Sequence, residues 1–98
     1  MSGKFRGNRW KLEDNIEIVI GRSAKECGIV VNDPGVSRKH CVILYDAGKR
    51  LYYIKDTSTN GTFSETGQRL TPEKIYTLMP DSRFYLSSPD FMFMVGLE

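Results

Sequence analysis

The chain has 98 residues, 40% apolar and 11% aromatic, which makes one domain with enough apolar volume for its own core. Its net charge of +2 argues against a non-specific nucleic-acid binder, which would carry a dense basic stripe. Two cysteines are too few for a disulfide scaffold, and no run approaches the roughly 20 apolar residues of a membrane span. The start, Met1 to Arg6, lacks the apolar stretch of a secretory signal. A soluble, intracellular protein is expected, cytoplasmic or, in a eukaryote, nuclear. The length also suits one module of a longer protein. The one local basic cluster, Lys4, Arg6, Arg9 and Lys11, reads as a solvated edge or linker.

Apolar periodicity predicts strands almost throughout. Ile16, Ile18 and Ile20 alternate with Glu17 and Val19, the pattern of a strand with one buried face. Residues 28–31 form a short apolar run ended by the turn Asn32-Asp33-Pro34-Gly35. A buried strand is predicted at 40–45, where Cys41 behaves as a small hydrophobe. The turn Asp46-Ala47-Gly48-Lys49 joins it to a hairpin partner at 51–55. Ser58-Thr59-Asn60-Gly61 is a loop, since Asn-Gly favours positive-φ turn geometry. After Thr62-Phe63 and a turn at Glu65-Thr66-Gly67, strands are predicted at 68–70, 74–78, 83–86 and 91–95. No window reads as an amphipathic helix. Short strands with frequent turns predict an all-β domain, a sandwich or a barrel.

Three polar fragments fall where predicted strands end: Gly21-Arg22, Ser37-Arg38-Lys39-His40, and Asp56-Thr57-Ser58-Thr59-Asn60-Gly61-Thr62. They supply two arginines, several hydroxyls, an amide and loop N–H groups. That set is equipped to hold a phosphate and poorly equipped to do chemistry on one. A phosphate monoester carries about −1.5 to −2 charges and three acceptor oxygens. Two guanidinium groups meet that charge with planar, forked hydrogen bonds. Asn60 adds an amide that offers both a donor and an acceptor.

The order Gly21-Arg22, Ser37-x-x-His40 and Asp56-x-Ser58-x-Asn60-Gly61-Thr62 resembles the signature of the forkhead-associated (FHA) domain. The likeness runs from about residue 16 to 95, with the whole chain, 1–98, taken as a single domain. The resemblance implies a β-sandwich of two mainly antiparallel sheets whose loops at one end bind phosphothreonine peptides. By position, Arg22 matches the arginine that contacts phosphate, and Ser37 the hydroxyl that bonds a phosphate oxygen. Arg38 matches the adjoining basic contact, and Thr59 a residue closing the phosphate and threonine-methyl pocket. Asn60 matches the asparagine that holds the peptide backbone, while Gly21, His40 and Gly61 shape the loops. The implied partner is a phosphothreonine-containing kinase substrate, or a phosphorylated part of the same parent chain. No cofactor, metal, nucleic acid or membrane is expected, and no residue is assigned a catalytic role.

One departure from the pattern falls after Phe63, where Ser64-Glu65-Thr66-Gly67 replaces a turn that usually bears Asn-Gly. The hairpin is expected to be polar and exposed. An enzyme reading could be built from Ser37, His40 and Asp56 as residue types of a triad, but no nucleophile-elbow or oxyanion-hole motif accompanies them. Cys27, His40 and Cys41 are too few for a zinc site. The stronger rival is a sandwich of the same kind that engages partners, or other copies of itself, without phosphate. The intact set of Arg22, Ser37, Thr59 and Asn60 favours phosphate.

Overall fold

The computed structural model describes residues 12–96. The basic cluster Lys4, Arg6, Arg9 and Lys11 lies outside them. The chain runs β1 (Glu17–Gly21), β2 (Ile29–Val30), β3 (Cys41–Asp46), β4 (Leu51–Asp56), β5 (Thr62–Ser64), β6 (Ile75–Leu78), β7 (Arg83–Leu86) and β8 (Met92–Met94). A five-stranded sheet is ordered β2-β1-β3-β4-β6, and a three-stranded sheet β5-β7-β8. The result is the expected all-β sandwich of two sheets. All pairs are antiparallel except β1 with β2, a parallel contact at Ile20–Ile29 and Gly21–Val30.

Side chains of a strand alternate between its faces, and the burial follows that period. On β3 Cys41 and Ile43 are buried while Val42 and Leu44 are half-buried. On β4 Tyr52, Ile54 and Asp56 are buried while Leu51, Tyr53 and Lys55 are half-buried. These inner faces meet Phe84 and Leu86 of β7 and Phe93 of β8, with Val31, Val36, Leu70 and Val95 closing the core from loops. Phe84 and Phe93 are cross-strand partners whose rings stack with centroids 5.5 Å apart.

Register decides what gathers at each end. Ile20 pairs with Cys41, and Cys41 with Asp56, so β1 ends, β3 begins and β4 ends at one level. Thr62 opposite Leu86 brings the start of β5 and the end of β7 there as well. All three polar fragments are therefore delivered to one pole. At the other pole Asp14 bridges Tyr45, and the Tyr52 hydroxyl donates to the Gly96 carbonyl.

Four predicted strands are revised. Residues 68–70 run beside β5 through a single bridge, Phe63–Arg69, and then leave the sheet at Thr71-Pro72, where proline has no N–H to continue a ladder. The run 28–31 contributes only Ile29–Val30, because Gly28 and Val31 bond the main chain of β1 from outside the paired segment. The strand expected at 74–78 starts at Ile75. The closing strand is Met92–Met94; Pro89–Phe91 form a 3-10 turn whose N-cap, Ser88, accepts from the Asp90 N–H.

Phe84, 1% exposed, is the largest side chain fully enclosed between the sheets. Phe84→Ala is expected to cost about 3–5 kcal/mol through lost burial and a residual cavity. Urea unfolding of the two proteins, compared at equal slope, measures it.

Candidate phosphate-binding site

β1 ends against the loop that precedes β3, and the approach is too close for a side chain. A Cβ on Gly21 would lie 2.3 Å from the Arg38 carbonyl oxygen and 2.8 Å from that of Ser37. With that space left empty, the Arg22 N–H donates to the Ser37 carbonyl (2.9 Å) and the Ser23 N–H to that of Arg38 (3.2 Å). The Cys27 thiol also donates to the Arg38 carbonyl, at 2.9 Å. Arg22 Nε donates to the Val36 carbonyl at 3.0 Å, which fixes the guanidinium plane next to Ser37. Its two terminal NH2 groups meet no acceptor among the described residues.

The loop between β4 and β5 is held at every residue. Buried Asp56 accepts at Oδ1 from the Ser58 N–H (3.1 Å), the Ser58 hydroxyl (2.5 Å) and the Thr62 hydroxyl (2.8 Å). Ser58 Oγ in turn accepts from the Gly61 N–H at 2.8 Å. Thr57 donates its N–H to the His40 carbonyl (3.0 Å) and its hydroxyl to that of Lys39 (2.7 Å). The Thr59 N–H donates to Ser37 Oγ at 3.1 Å, and Asn60 Nδ2 donates to the Gly35 carbonyl at 2.8 Å. Gly61 takes φ of +102°, a region that only glycine enters without strain. Asn60 does not share that positive φ, so the left-handed position of this turn belongs to Gly61 alone.

His40 joins the two loops. The Ser37 N–H donates to Nδ1 (3.1 Å), and Nε2 donates to the Gly61 carbonyl (2.7 Å). These partners assign the neutral tautomer with its proton on Nε2. Burial pushes the imidazole below its ordinary value, and the Arg69 charge adds to that, against an opposing pull from the Gly61 carbonyl and Asp56. The ring makes no bond to Ser37 Oγ. With both nitrogens committed to backbone, it is not placed to act as a base on that hydroxyl.

The sites named from sequence thus meet at one pole. Arg22, Ser37, Thr59 and Asn60 are linked directly or through one backbone group. Arg38 and Thr59 are exposed, and the side chains of neither meet a partner among the described residues. Gly21, His40 and Gly61 shape the loops. Asn60 carries a tie to Gly35 in addition to the peptide-holding role expected of it. One residue was missed: Arg69, whose Nη2 donates to the Thr59 carbonyl at 3.2 Å. It is remote in sequence from the three fragments, and only the pairing of 68–70 beside β5 brings it there. Cys41 is fully enclosed, and burial raises its thiol far above the ordinary range, in keeping with a core role. The 64–67 hairpin is polar, with Glu65, Thr66 and Gly67 exposed. Its Gly67 N–H closes on the Ser64 carbonyl at 2.9 Å.

The family model described as FHA domain matches residues 18–87, well over half of the chain. The chain belongs to the FHA domain family. Its neighbours by structure are FHA domains. The MEK1 FHA domain in complex with a HOP1 phosphothreonine peptide is 31% identical, with 78% of each chain covered and a TM-score of 0.70. The FHA domain of CT664 from Chlamydia trachomatis, at 23% identity, shares the fold with a TM-score of 0.78 over 91% of this chain and 84% of that one. By sequence, the meiosis-specific serine/threonine-protein kinase MEK1 of Saccharomyces cerevisiae is 37% identical over 65 residues, 62% of this chain and 13% of that kinase. The FHA domain described here therefore corresponds to a small part of that relative's length.

Neutral His40 accepts the Ser37 N–H, so protonation breaks one of the two ties it makes. Because its folded value is lowered, its contribution is complete above the unfolded value of 6.5 and is lost as pH falls from there through the folded value. Urea midpoints measured from about pH 7.5 down to about pH 5 should therefore fall, and His40→Asn should flatten that part of the curve. A wild-type midpoint that stays level would remove His40 as the cause.

Proposed function

We propose that this FHA domain is a non-catalytic recognition module for phosphothreonine in an extended peptide. The observation that carries the reading is the state of Ser37. Its Oγ already accepts the Thr59 N–H, so its hydroxyl proton is left to donate, beside a guanidinium whose plane is set by Val36. A phosphoryl group placed there meets the terminal NH2 groups of Arg22 and the Ser37 hydroxyl without any loop having to move. Arg38, the next residue, adds a second guanidinium to the rim. Preorganisation of this kind removes the ordering cost that a mobile loop would impose on binding.

Asn60 holds its orientation through Gly35 and keeps its carbonyl oxygen and a second N–H for the ligand's main chain. Preference for phosphothreonine over phosphoserine would come from contact of the γ-methyl with the loops at Ser37 and Thr59. The partner is a protein phosphorylated by a kinase, or a phosphorylated part of the parent chain, in an intracellular setting. The MEK1 FHA domain bound to a HOP1 phosphothreonine peptide supports this reading by likeness. No step of bond making or breaking is assigned, since His40 and Ser37 are not arranged as base and nucleophile.

Fluorescence polarisation with degenerate peptides that differ only in carrying phosphothreonine, phosphoserine or unmodified threonine tests the reading. Binding by the phosphothreonine set is expected, weaker by phosphoserine and absent without phosphate. Arg22→Ala should weaken binding at least about 30-fold, roughly 2 kcal/mol for charge-assisted bonds, with an unchanged unfolding midpoint because the residue is exposed. Equal binding of all three sets would show a sandwich that engages partners without phosphate, and normal affinity in the variant would sink the proposed site.

A further inference from the structure

Arg69 belongs to none of the polar fragments, yet its guanidinium lies across the turn that carries Thr59 and Asn60. Its backbone is anchored by the bridge to Phe63, by the Ser64 N–H donating to the Gln68 carbonyl (2.8 Å) and by the Leu70 N–H donating to that of Thr62 (2.9 Å). Leu70 beside it is buried in the core, while Arg69 is exposed. Nη2 donates to the Thr59 carbonyl, and Nε sits 2.9 Å from where a Cβ on Gly61 would be. Gly61 thus leaves room for the guanidinium as well as adopting its positive φ. Arg69 also takes no part in a salt bridge, the ion pair among the described residues being Arg83 with Glu65 at 3.7 Å.

Thr59 is consequently gripped at both of its main-chain polar groups by side chains from different parts of the chain. Ser37 Oγ takes its N–H, and Arg69 holds its carbonyl. The rest of the turn has separate anchors, Ser58 on Asp56, Asn60 on Gly35 and Gly61 on His40. Loss of Arg69 would therefore leave the turn folded and release one residue within it.

We propose that Arg69 is a positioning residue of the phosphothreonine site, a clamp on the Thr59 carbonyl that sets the methyl-reading wall of the pocket. This rests on the reading of the pole as a phosphothreonine site. The planar fork of arginine suits the task because Nη2 reaches the carbonyl while Nε passes close to a glycine. A lysine ammonium keeps the charge and loses the fork.

The test compares wild type, Arg69→Gln and Arg69→Lys in three measurements. The first is amide hydrogen exchange of Thr59 by NMR in the free domain. The second is the ratio of Kd values for the best phosphothreonine peptide from the library and its phosphoserine twin. The third is the unfolding midpoint. In Arg69→Gln, Thr59 exchange should rise at least about fivefold while the midpoint stays within about 3 °C. The phosphoserine-to-phosphothreonine Kd ratio should fall at least about threefold. Arg69→Lys is expected to show part of both changes, and supplies the readout if the glutamine variant folds poorly. A merely stabilising residue would lower the midpoint and affect both peptides alike, and that outcome overturns the proposal. So do wild-type exchange and wild-type ratio in the two variants. Faster Thr59 exchange in a domain that binds neither phosphopeptide would uphold the clamp and sink the phosphothreonine reading instead.

Discussion

The binding pole depends on one buried ring. His40 takes a proton from the main chain of Ser37 on one side and gives one to the main chain of Gly61 on the other. Among the described residues, no other side chain at this pole bonds the backbone of both loops. Ser37, Thr59 and Asn60 keep their spacing because these two loops are tied through an imidazole that water does not reach. Such a group works only in one tautomer, which its two partners select, while burial disfavours the charged form. The apparent extravagance of burying a histidine at a binding site is thus a consequence of needing a rigid link of this length with a donor at one end and an acceptor at the other.

Beneath the ring lies a second constraint, the register of the central strands. A one-residue slip between β3 and β4 would turn either Ile43 or Ile54 outward, so the core protects the alignment. The same alignment sets Asp56 level with Cys41, under the loop it organises. Core packing and site geometry are in this sense one problem. The loops are short, their ends are fixed by strands, and much of their polar backbone is bonded.

Much of this was legible in the sequence. Alternating apolar residues marked β1, β3 and β4, and the polar fragments marked the loops where glycine, serine and asparagine replace core residues. The less legible parts depend on pairing across distance. Nothing in Gly28-Ile29-Val30-Val31 says that it will lie parallel to β1, because a short apolar run has no direction written in it. Asn60 advertises a ligand contact, while its bond to Gly35 depends on two loops being folded toward each other. Arg69 sits in a segment that reads as an ordinary strand with a solvated cation. Its position over Gly61 follows only once the 64–67 hairpin has turned the chain back along β5.

The far pole has its own significance. Asp14 and Gly96 both lie there, one bridged to Tyr45 and the other held by the Tyr52 hydroxyl. Tyr45 belongs to β3 and Tyr52 to β4, so the two strands that lead into and out of the polar loops are also tied at their opposite ends.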